Sequence, residues 1–134
     1  RNDLSPREVI DYLDRVRAAV KVPVGTAEPW HVFIKNPELV EHSDFIAIHV
    51  LPYWEKVPFA DSVGWVLDRY RQVKEAFPNK PVFLAEVGWP SNGENFGKAK
   101  PSSSAGGQGR PARTSARAAA SLASTPSNSA TVFV

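Results

Sequence analysis

The sequence predicts an α/β fold with a parallel β-sheet, and the order of its apolar segments carries that prediction. Between residues 4 and 87, short β-prone runs alternate with longer segments whose apolar residues recur at helical spacing. Such alternation is typical of parallel sheets, because two parallel strands need a crossover connection that is usually a helix. The run at residues 45–51 is almost continuously apolar, as expected of a strand that is buried on both faces.

The first helix is predicted to begin at Pro6. Ser5 suits the N-cap, Pro6 the first helical position, and Glu8 completes a capping box with Ser5. The helix is expected to end near residue 21 and to pack one apolar stripe on a sheet. The stripe consists of Val9, Ile10, Leu13, Val16, Ala19 and Val20.

A second long helix is predicted over residues 61–77. It must end before Pro78, because the residue before a proline disfavours the helical conformation. A short helical turn is predicted at residues 36–40. The apolar stripe of the long helix consists of Val63, Val66, Leu67, Tyr70, Val73 and Phe77.

Three short strands are predicted at residues 23–27, 45–51 and 82–85, and acidic or aromatic residues lie at their C-terminal ends. Because the C-terminal ends of parallel strands meet at one edge of a sheet, these residues are candidates for a shared site. The candidates are Glu28, Trp30, His49, Tyr53, Trp54, Glu86 and Trp89.

A carboxylate followed three residues later by a tryptophan, as in Glu86 and Trp89, suits sugar chemistry. The ring can stack on the apolar face of a pyranose, and the carboxylate meets the positive charge that develops at the anomeric carbon. From the local pattern alone, a Glu that closes a strand at the surface is an equally good interpretation. In the same way, Trp30 fits a packed loop aromatic, and His49 fits a core histidine.

The run Ala85-Glu86-Val87-Gly88-Trp89-Pro90-Ser91 resembles the nucleophile signature of glycoside hydrolase family 17. That family contains β-1,3-glucanases and β-1,3-glucan transglucosylases. Residues 26–30 (Thr-Ala-Glu-Pro-Trp) and 44–54 resemble its bacterial members in particular. The resemblance covers roughly residues 1–97. It implies a partial TIM (β/α)₈ barrel, made of about strands 5 to 7 with their helices.

The resemblance also implies roles for the candidate residues. Glu86 corresponds to the nucleophile of a retaining mechanism, and Tyr53 would hydrogen-bond the nucleophile or a sugar hydroxyl. The other candidates would line a cleft for a β-glucan, which is the expected partner. The family's acid/base Glu, in an Asn-Glu pair after the fourth strand, would fall before Arg1. The chain alone is therefore expected to be inactive and its parent to be a glycoside hydrolase. No cofactor is expected, and no metal-ligand spacing links the three histidines.

The composition changes near residue 98. The 134-residue chain is shorter than the ~250 residues of a complete barrel, begins with Arg and contains no Met, so it is interpreted as a fragment. Residues 98–134 are rich in Ser, Ala, Gly, Arg and Pro, carry a net charge of +5, and are expected to be disordered. They fit either a natural linker or a shifted reading frame. The predicted domain at residues 1–97 carries a net charge of −3.

These charges and the absence of long apolar runs bound the partners. The overall positive charge comes from the basic tail, so it does not indicate that the folded part binds nucleic acid. No contact with a membrane is expected from this chain. The parent protein is expected outside the cytoplasm. Two alternatives to an enzyme stay open, a non-catalytic glucan-binding module and a domain of a membrane β-glucan synthase.

Overall fold

The computed structural model describes residues 4–101 and the short strand at residues 132–133. Its helices are α1 (Pro6–Ala19), α2 (Trp30–Lys35), α3 (Glu38–Glu41) and α4 (Ser62–Ala76), with a 3₁₀ turn at Phe59–Asp61. Its strands are β1 (Val24–Gly25), β2 (Ala27–Pro29), β3 (Ile46–Val50), β4 (Val82–Val87) and β5 (Val132–Phe133). Helices lie between the three main strands, so the predicted α/β alternation is confirmed.

Helix α1 begins where its capping signals predict. The Ser5 side chain accepts a hydrogen bond from the backbone N–H of Glu8, and the Glu8 carboxylate accepts from the backbone N–H of Ser5 at 2.7 Å. The backbone hydrogen bond first, and the Ser5 hydroxyl second, stabilise the charged carboxylate and lower the pKa of Glu8. Ile10 and Leu13 of the predicted stripe are buried.

The central sheet has three parallel strands in the order β2–β3–β4. β2 pairs with β3 from Ala27 opposite Ala47 to Pro29 opposite His49, and β3 pairs with β4 from Ile46 opposite Val82. A predicted parallel sheet is thereby confirmed. Since β2 and β4 are its outer strands, each has one edge that β3 does not cover.

The main core lies between this sheet and the helices on one of its faces. Alternate residues of β3, namely Ile46, Ile48 and Val50, meet Val66 and Val73 of α4 there. The predicted α4 stripe is correct except at its start. Val63 is 64% exposed, because it lies on the outward side of the first turn of α4, whereas Ser62 beside it is buried.

The other face of the sheet carries the intervening residues. Phe45 and Phe83 meet edge to face with ring centroids 5.8 Å apart. Ala47, which pairs with Phe83 in the sheet, is buried. Gly25 lies against this face, because a Cβ added to it would come within 2.8 Å of the Phe45 ring. Phe83 is 37% exposed, so this face is covered less completely than the helical one.

The predicted tail is described only at its two ends. Ala99 is fully buried and forms an isolated antiparallel bridge with Phe96, so the chain stays packed past residue 98, where disorder was expected. Val132 and Phe133 form the unpredicted strand β5, which pairs in parallel with Val24 and Gly25. The rest of the predicted tail lies outside the described residues. Among the helices described, none is both long and apolar enough to cross a membrane.

Candidate active site

The C-terminal end of the sheet brings Glu86 and His49 together. Glu86 lies within β4 rather than after it, since β4 continues to Val87, two residues beyond the predicted strand. His49 stands opposite Glu86 in the register, and its Nδ1 lies 3.7 Å from Glu86 Oε2. The Glu86 side chain is 57% exposed, and the His49 side chain is 28% exposed. A solvent-accessible carboxylate therefore sits next to a half-buried imidazole.

A β-bulge produces this pairing. Ile48 lies opposite Leu84, but the next residue of β3, His49, lies opposite Glu86, which leaves Ala85 as the extra residue of β4. Ile48 and Leu84 face the helical core, so His49 faces away from it. Without the bulge, Glu86 would follow Leu84 onto the helical face. Bulges occur next to active sites, where they redirect a side chain, and here the bulge turns Glu86 to the side of His49.

Aromatic side chains gather on the loops that follow β3 and β4. The Tyr53 ring centroid lies 5.1 Å from that of Trp54 and 5.6 Å from that of Trp89, both edge to face. Phe59 meets Trp89 at 5.3 Å and Phe96 meets Trp54 at 5.5 Å. We call these five residues the aromatic patch. Trp54 is 63% exposed and so offers a ring face to solvent.

Two hydrogen bonds fix the loops of the patch, one between the two loops and one within the segment that follows β4. The Tyr53 hydroxyl donates to the backbone carbonyl of Glu94, and Trp89 Nε1 donates to the carbonyl of Lys100 at 3.0 Å. Lys56 places its ammonium 5.4 Å from the Phe96 ring centroid, at a distance that allows a cation–π contact. The Tyr53 hydroxyl therefore binds a loop carbonyl instead of the nucleophile that the family resemblance suggested.

Glu28 and Trp30 are not part of this assembly. Glu28 lies opposite Ile48 in the register, which puts it on the helical face, whereas Glu86 lies on the other face. Trp30 is the first residue of α2, and the guanidinium of Arg69 lies 4.9 Å from its ring centroid and 5.1 Å from that of Trp65. Their expected contact with a sugar stays a prediction, and in this structure Trp30 packs on α4.

The loop after β4 also lines an open, polar cavity of about 570 Å³. Its walls include the side-chain amides of Asn92 and Asn95 and the hydroxyl-bearing Ser91. Within residues 4–101, no cluster of three or more His, Cys, Asp or Glu side chains could hold a metal ion.

Sequence reasoning missed Phe59 and Phe96 of the aromatic patch. Each is a single aromatic in a segment without strand or helix periodicity, and neither belongs to the quoted family motif. Phe59 joins the patch through Trp89, 30 residues later in the chain, and Phe96 joins it through Tyr53, 43 residues earlier. No local signal predicts such contacts.

Comparison with known proteins decides the family. A family model described as the BtgE/BtgC glycoside hydrolase domain matches residues 1–131. The chain belongs to this glycoside hydrolase family. The match continues past residue 97, where the change in composition suggested a domain boundary, and that boundary stays a prediction.

Relatives of this glycoside hydrolase domain include a probable family 17 glucosidase of Saccharomyces cerevisiae, 37% identical over 108 residues. A cell surface mannoprotein of Candida albicans is 32% identical over 107 residues. Each alignment covers 75% of this chain but only 28% of the relative, so the chain spans little more than a quarter of their length. The resemblance to glycoside hydrolase family 17 is confirmed. These relatives are fungal, so they lend no support to a bacterial type in particular.

Two solved structures of Rhizomucor miehei proteins resemble this chain. One is a glycoside hydrolase family 17 β-1,3-glucanosyltransferase, with a TM-score of 0.67 and 34% identity over 76% of this chain and 39% of that one. The other is an active-site mutant of a β-1,3-glucanosyltransferase in complex with laminaritriose, with a TM-score of 0.64, 33% identity and coverage of 73% and 37%. The parallel sheet with its helices is accordingly part of a TIM-barrel-like fold.

Proposed function

We propose that this chain supplies the nucleophile-bearing part of a retaining glycosidase barrel that acts on β-1,3-glucan. The observation that carries the proposal is the position of Glu86, exposed at the C-terminal end of β4. Active sites of TIM barrels lie at this end of the strands. The family assignment supports glycoside chemistry, and the names of the Rhizomucor miehei structures support a β-1,3-glucan substrate.

In the proposed mechanism, Glu86 attacks the anomeric carbon and the glycosidic bond to the leaving sugar breaks, while a carboxylic acid supplied by the parent protein protonates the leaving oxygen. The product of this step is a covalent glycosyl–enzyme intermediate. Trp54, Trp89 and Tyr53 of the aromatic patch bind neighbouring sugar rings, because aromatic faces suit the apolar faces of pyranoses. Water or an acceptor sugar then releases the glycosyl group, which gives hydrolysis or transfer. The relatives include a glucosidase and a glucanosyltransferase, so we propose both outcomes for the parent protein.

The second carboxyl group is proposed to come from outside this chain. Retaining enzymes hold their two carboxyl groups only about 5–5.5 Å apart. Glu28 lies on the opposite face of the sheet from Glu86 and so is badly placed for the acid/base role. The chain also spans a minority of the length of its relatives. We infer that the acid/base belongs to the remaining part of a complete barrel.

A donor with a leaving group that needs no protonation tests the nucleophile separately from the missing acid. A 2-deoxy-2-fluoro-β-laminaribiosyl fluoride expels fluoride without acid assistance, and its 2-fluoro group slows the breakdown of the intermediate. Incubation with the 134-residue chain should add one glycosyl group, and peptide mass spectrometry should locate it on Glu86. The Glu86→Gln variant keeps the shape of the side chain but loses the nucleophile, so it should stay unlabelled.

The same variants separate an enzyme part from a glucan-binding module. If the chain is part of an enzyme, the Glu86→Gln variant should still bind laminaritriose in calorimetry but should no longer be labelled by the fluoride donor. If the chain is instead a binding module that uses only the aromatic patch, both the wild type and Glu86→Gln should bind laminaritriose, and neither should be labelled. Wild-type chain that binds laminaritriose but is never labelled would therefore overturn the proposed nucleophile.

We also propose that the parent protein acts outside the cytoplasm. The Candida albicans relative is named as a cell surface protein, and β-1,3-glucan as a substrate suits that location. Fractionation of cells that express the parent protein would test this, since recovery from the cytosol alone would contradict it.

A further inference from the structure

We propose that His49 is a positioning residue that orients the Glu86 carboxylate for attack, and that it is not a sugar ligand. The inference rests on the proposed function, because it concerns the nucleophile of that reaction. It replaces the expectation that His49 contacts the substrate and that Tyr53 holds the nucleophile.

The register of the sheet is the first argument. The extra residue at Ala85 turns Glu86 away from the helical core and sets it opposite His49. A straight β4 would instead have paired His49 with Ala85 and left the carboxylate on the helical face. The bulge thus has one clear geometric result, which is the meeting of the carboxylate and the imidazole.

The second argument is the geometry of the pair. Nδ1 of His49 lies 3.7 Å from Oε2 of Glu86. That is longer than a hydrogen bond, but catalytic hydrogen bonds are often long without ligand and shorten in the substrate complex. A small rotation of the exposed Glu86 side chain closes the gap. An Nδ1–H donates to the carboxylate whether the ring is neutral or protonated, so orientation does not require a charged histidine.

The third argument is that the His49 and Glu86 side chains differ in conformational freedom. His49 is flanked by the buried residues Ile48 and Val50 within β3, so its backbone is fixed by packing and pairing. Glu86 is more exposed and has one more rotatable bond, so its carboxylate gains most from an external anchor. Tyr53 does not provide that anchor, because its hydroxyl donates to the Glu94 carbonyl.

The concentration dependence of labelling by the fluoride donor tests this role, because it separates donor binding (KI) from covalent attack (kinact). His49→Ala should lower kinact by about 10- to 100-fold, since a misplacement of 1 Å costs about 100-fold. Its KI should stay unchanged. A role for His49 as a sugar ligand predicts the reverse, a raised KI with kinact retained.

Two amide variants show which ring atom matters. The amide nitrogen of Asn lies the same number of bonds from Cβ as Nδ1, whereas that of Gln lies one bond farther out. His49→Asn should therefore keep a kinact close to that of the wild type, and His49→Gln should lose it as His49→Ala does. Equal values for the Asn and Gln variants would overturn the proposal, and the comparison stays valid if the Ala variant fails to fold.

His42→Asn is the matched control. His42 pairs with Asp14 through Nδ1 at 2.9 Å, near the start of β3 rather than its end. Its labelling should equal that of the wild type, with circular dichroism confirming the fold of each variant. Wild-type chain that is not labelled at all would overturn the proposed function and this inference with it. Labelling that is normal in both wild type and His49→Ala would overturn the inference alone.

Discussion

Among the glycines that the structure describes, Gly25 leaves the least room for a side chain. A Cβ at this position would lie 2.8 Å from two ring carbons of Phe45 and 2.9 Å from its carbonyl oxygen. The backbone oxygen cannot move aside as a flexible side chain would. Gly25→Ala should therefore lower the free energy of unfolding by about 1–3 kcal/mol, the usual cost of overpacking. Urea denaturation monitored by tryptophan fluorescence measures this change.

Gly64 in α4 provides the matched control, because a Cβ built there has no atom within 4 Å apart from its chain neighbours and the backbone of its own helix. Glycine inside a helix costs about 0.5–1 kcal/mol relative to alanine. Gly64→Ala should accordingly raise stability by that amount. Two variants that change stability in the same direction would show that the contact with Phe45 does not govern Gly25.

The roles of single residues were only partly predictable from sequence. The motif around Glu86 is specific enough to indicate the family, and the family model confirms that family. The partner of Glu86 was not predictable, because the extra residue at Ala85 leaves no mark in the sequence. The hydrogen bond from Tyr53 to Glu94 was not predictable either, because it depends on how two distant loops meet.

At the level of secondary structure elements, the N-terminal cap of α1 is the best-defined interaction. Ser5 caps the helix through its hydroxyl, and Glu8 bonds back to the Ser5 backbone. Ser5→Ala removes the hydroxyl acceptor and should cost about 1 kcal/mol of stability. The urea midpoint at neutral pH measures it, and an unchanged midpoint would contradict a stabilising cap.

The same cap predicts a pH dependence. The pKa of Glu8 is lowered in the folded chain, first by the backbone hydrogen bond from Ser5 and then by its hydroxyl. A lowered pKa means that the stabilisation is complete above the unfolded-state pKa and is lost as the pH falls through the folded-state pKa. Glu8→Gln should therefore destabilise the chain near neutral pH and make no difference in strong acid. A Glu8→Gln effect that is constant with pH would contradict this assignment.

Elements with strong local signals were predicted well, and those without were missed. α1 carries a capping box and α4 a full apolar stripe, and both helices end within two residues of prediction. α2 has six residues and its N-cap position, Pro29, makes no side-chain hydrogen bond. Trp30 was therefore interpreted as a loop residue at a strand end. Its ring instead packs with Arg69 and Trp65 of α4, a tertiary contact that no sequence window shows.

At the scale of the whole molecule, the described sheet is part of a TIM-barrel-like fold, and we propose that it supplies one side of the glucan cleft. The aromatic patch and Glu86 lie on loops and strand ends at one end of β3 and β4, and Phe83, on the face of the sheet that carries Glu86, is 37% exposed. The structural relatives are more than twice as long as the part that this chain matches. In the proposed mechanism, attack by Glu86 needs only the described side of the cleft, whereas protonation of a sugar leaving group needs a second carboxyl group across it.

This division predicts that the 134-residue chain releases no reducing sugar from a β-1,3-glucan, although the fluoride donor labels it. Activity should appear in a chimera in which residues 4–101 replace the matching segment of the Rhizomucor miehei β-1,3-glucanosyltransferase, because that enzyme then supplies the rest of the barrel. Glu86→Gln should abolish the activity of the chimera. Release of sugar by the unfused chain would mean that a functional acid/base lies within these residues after all.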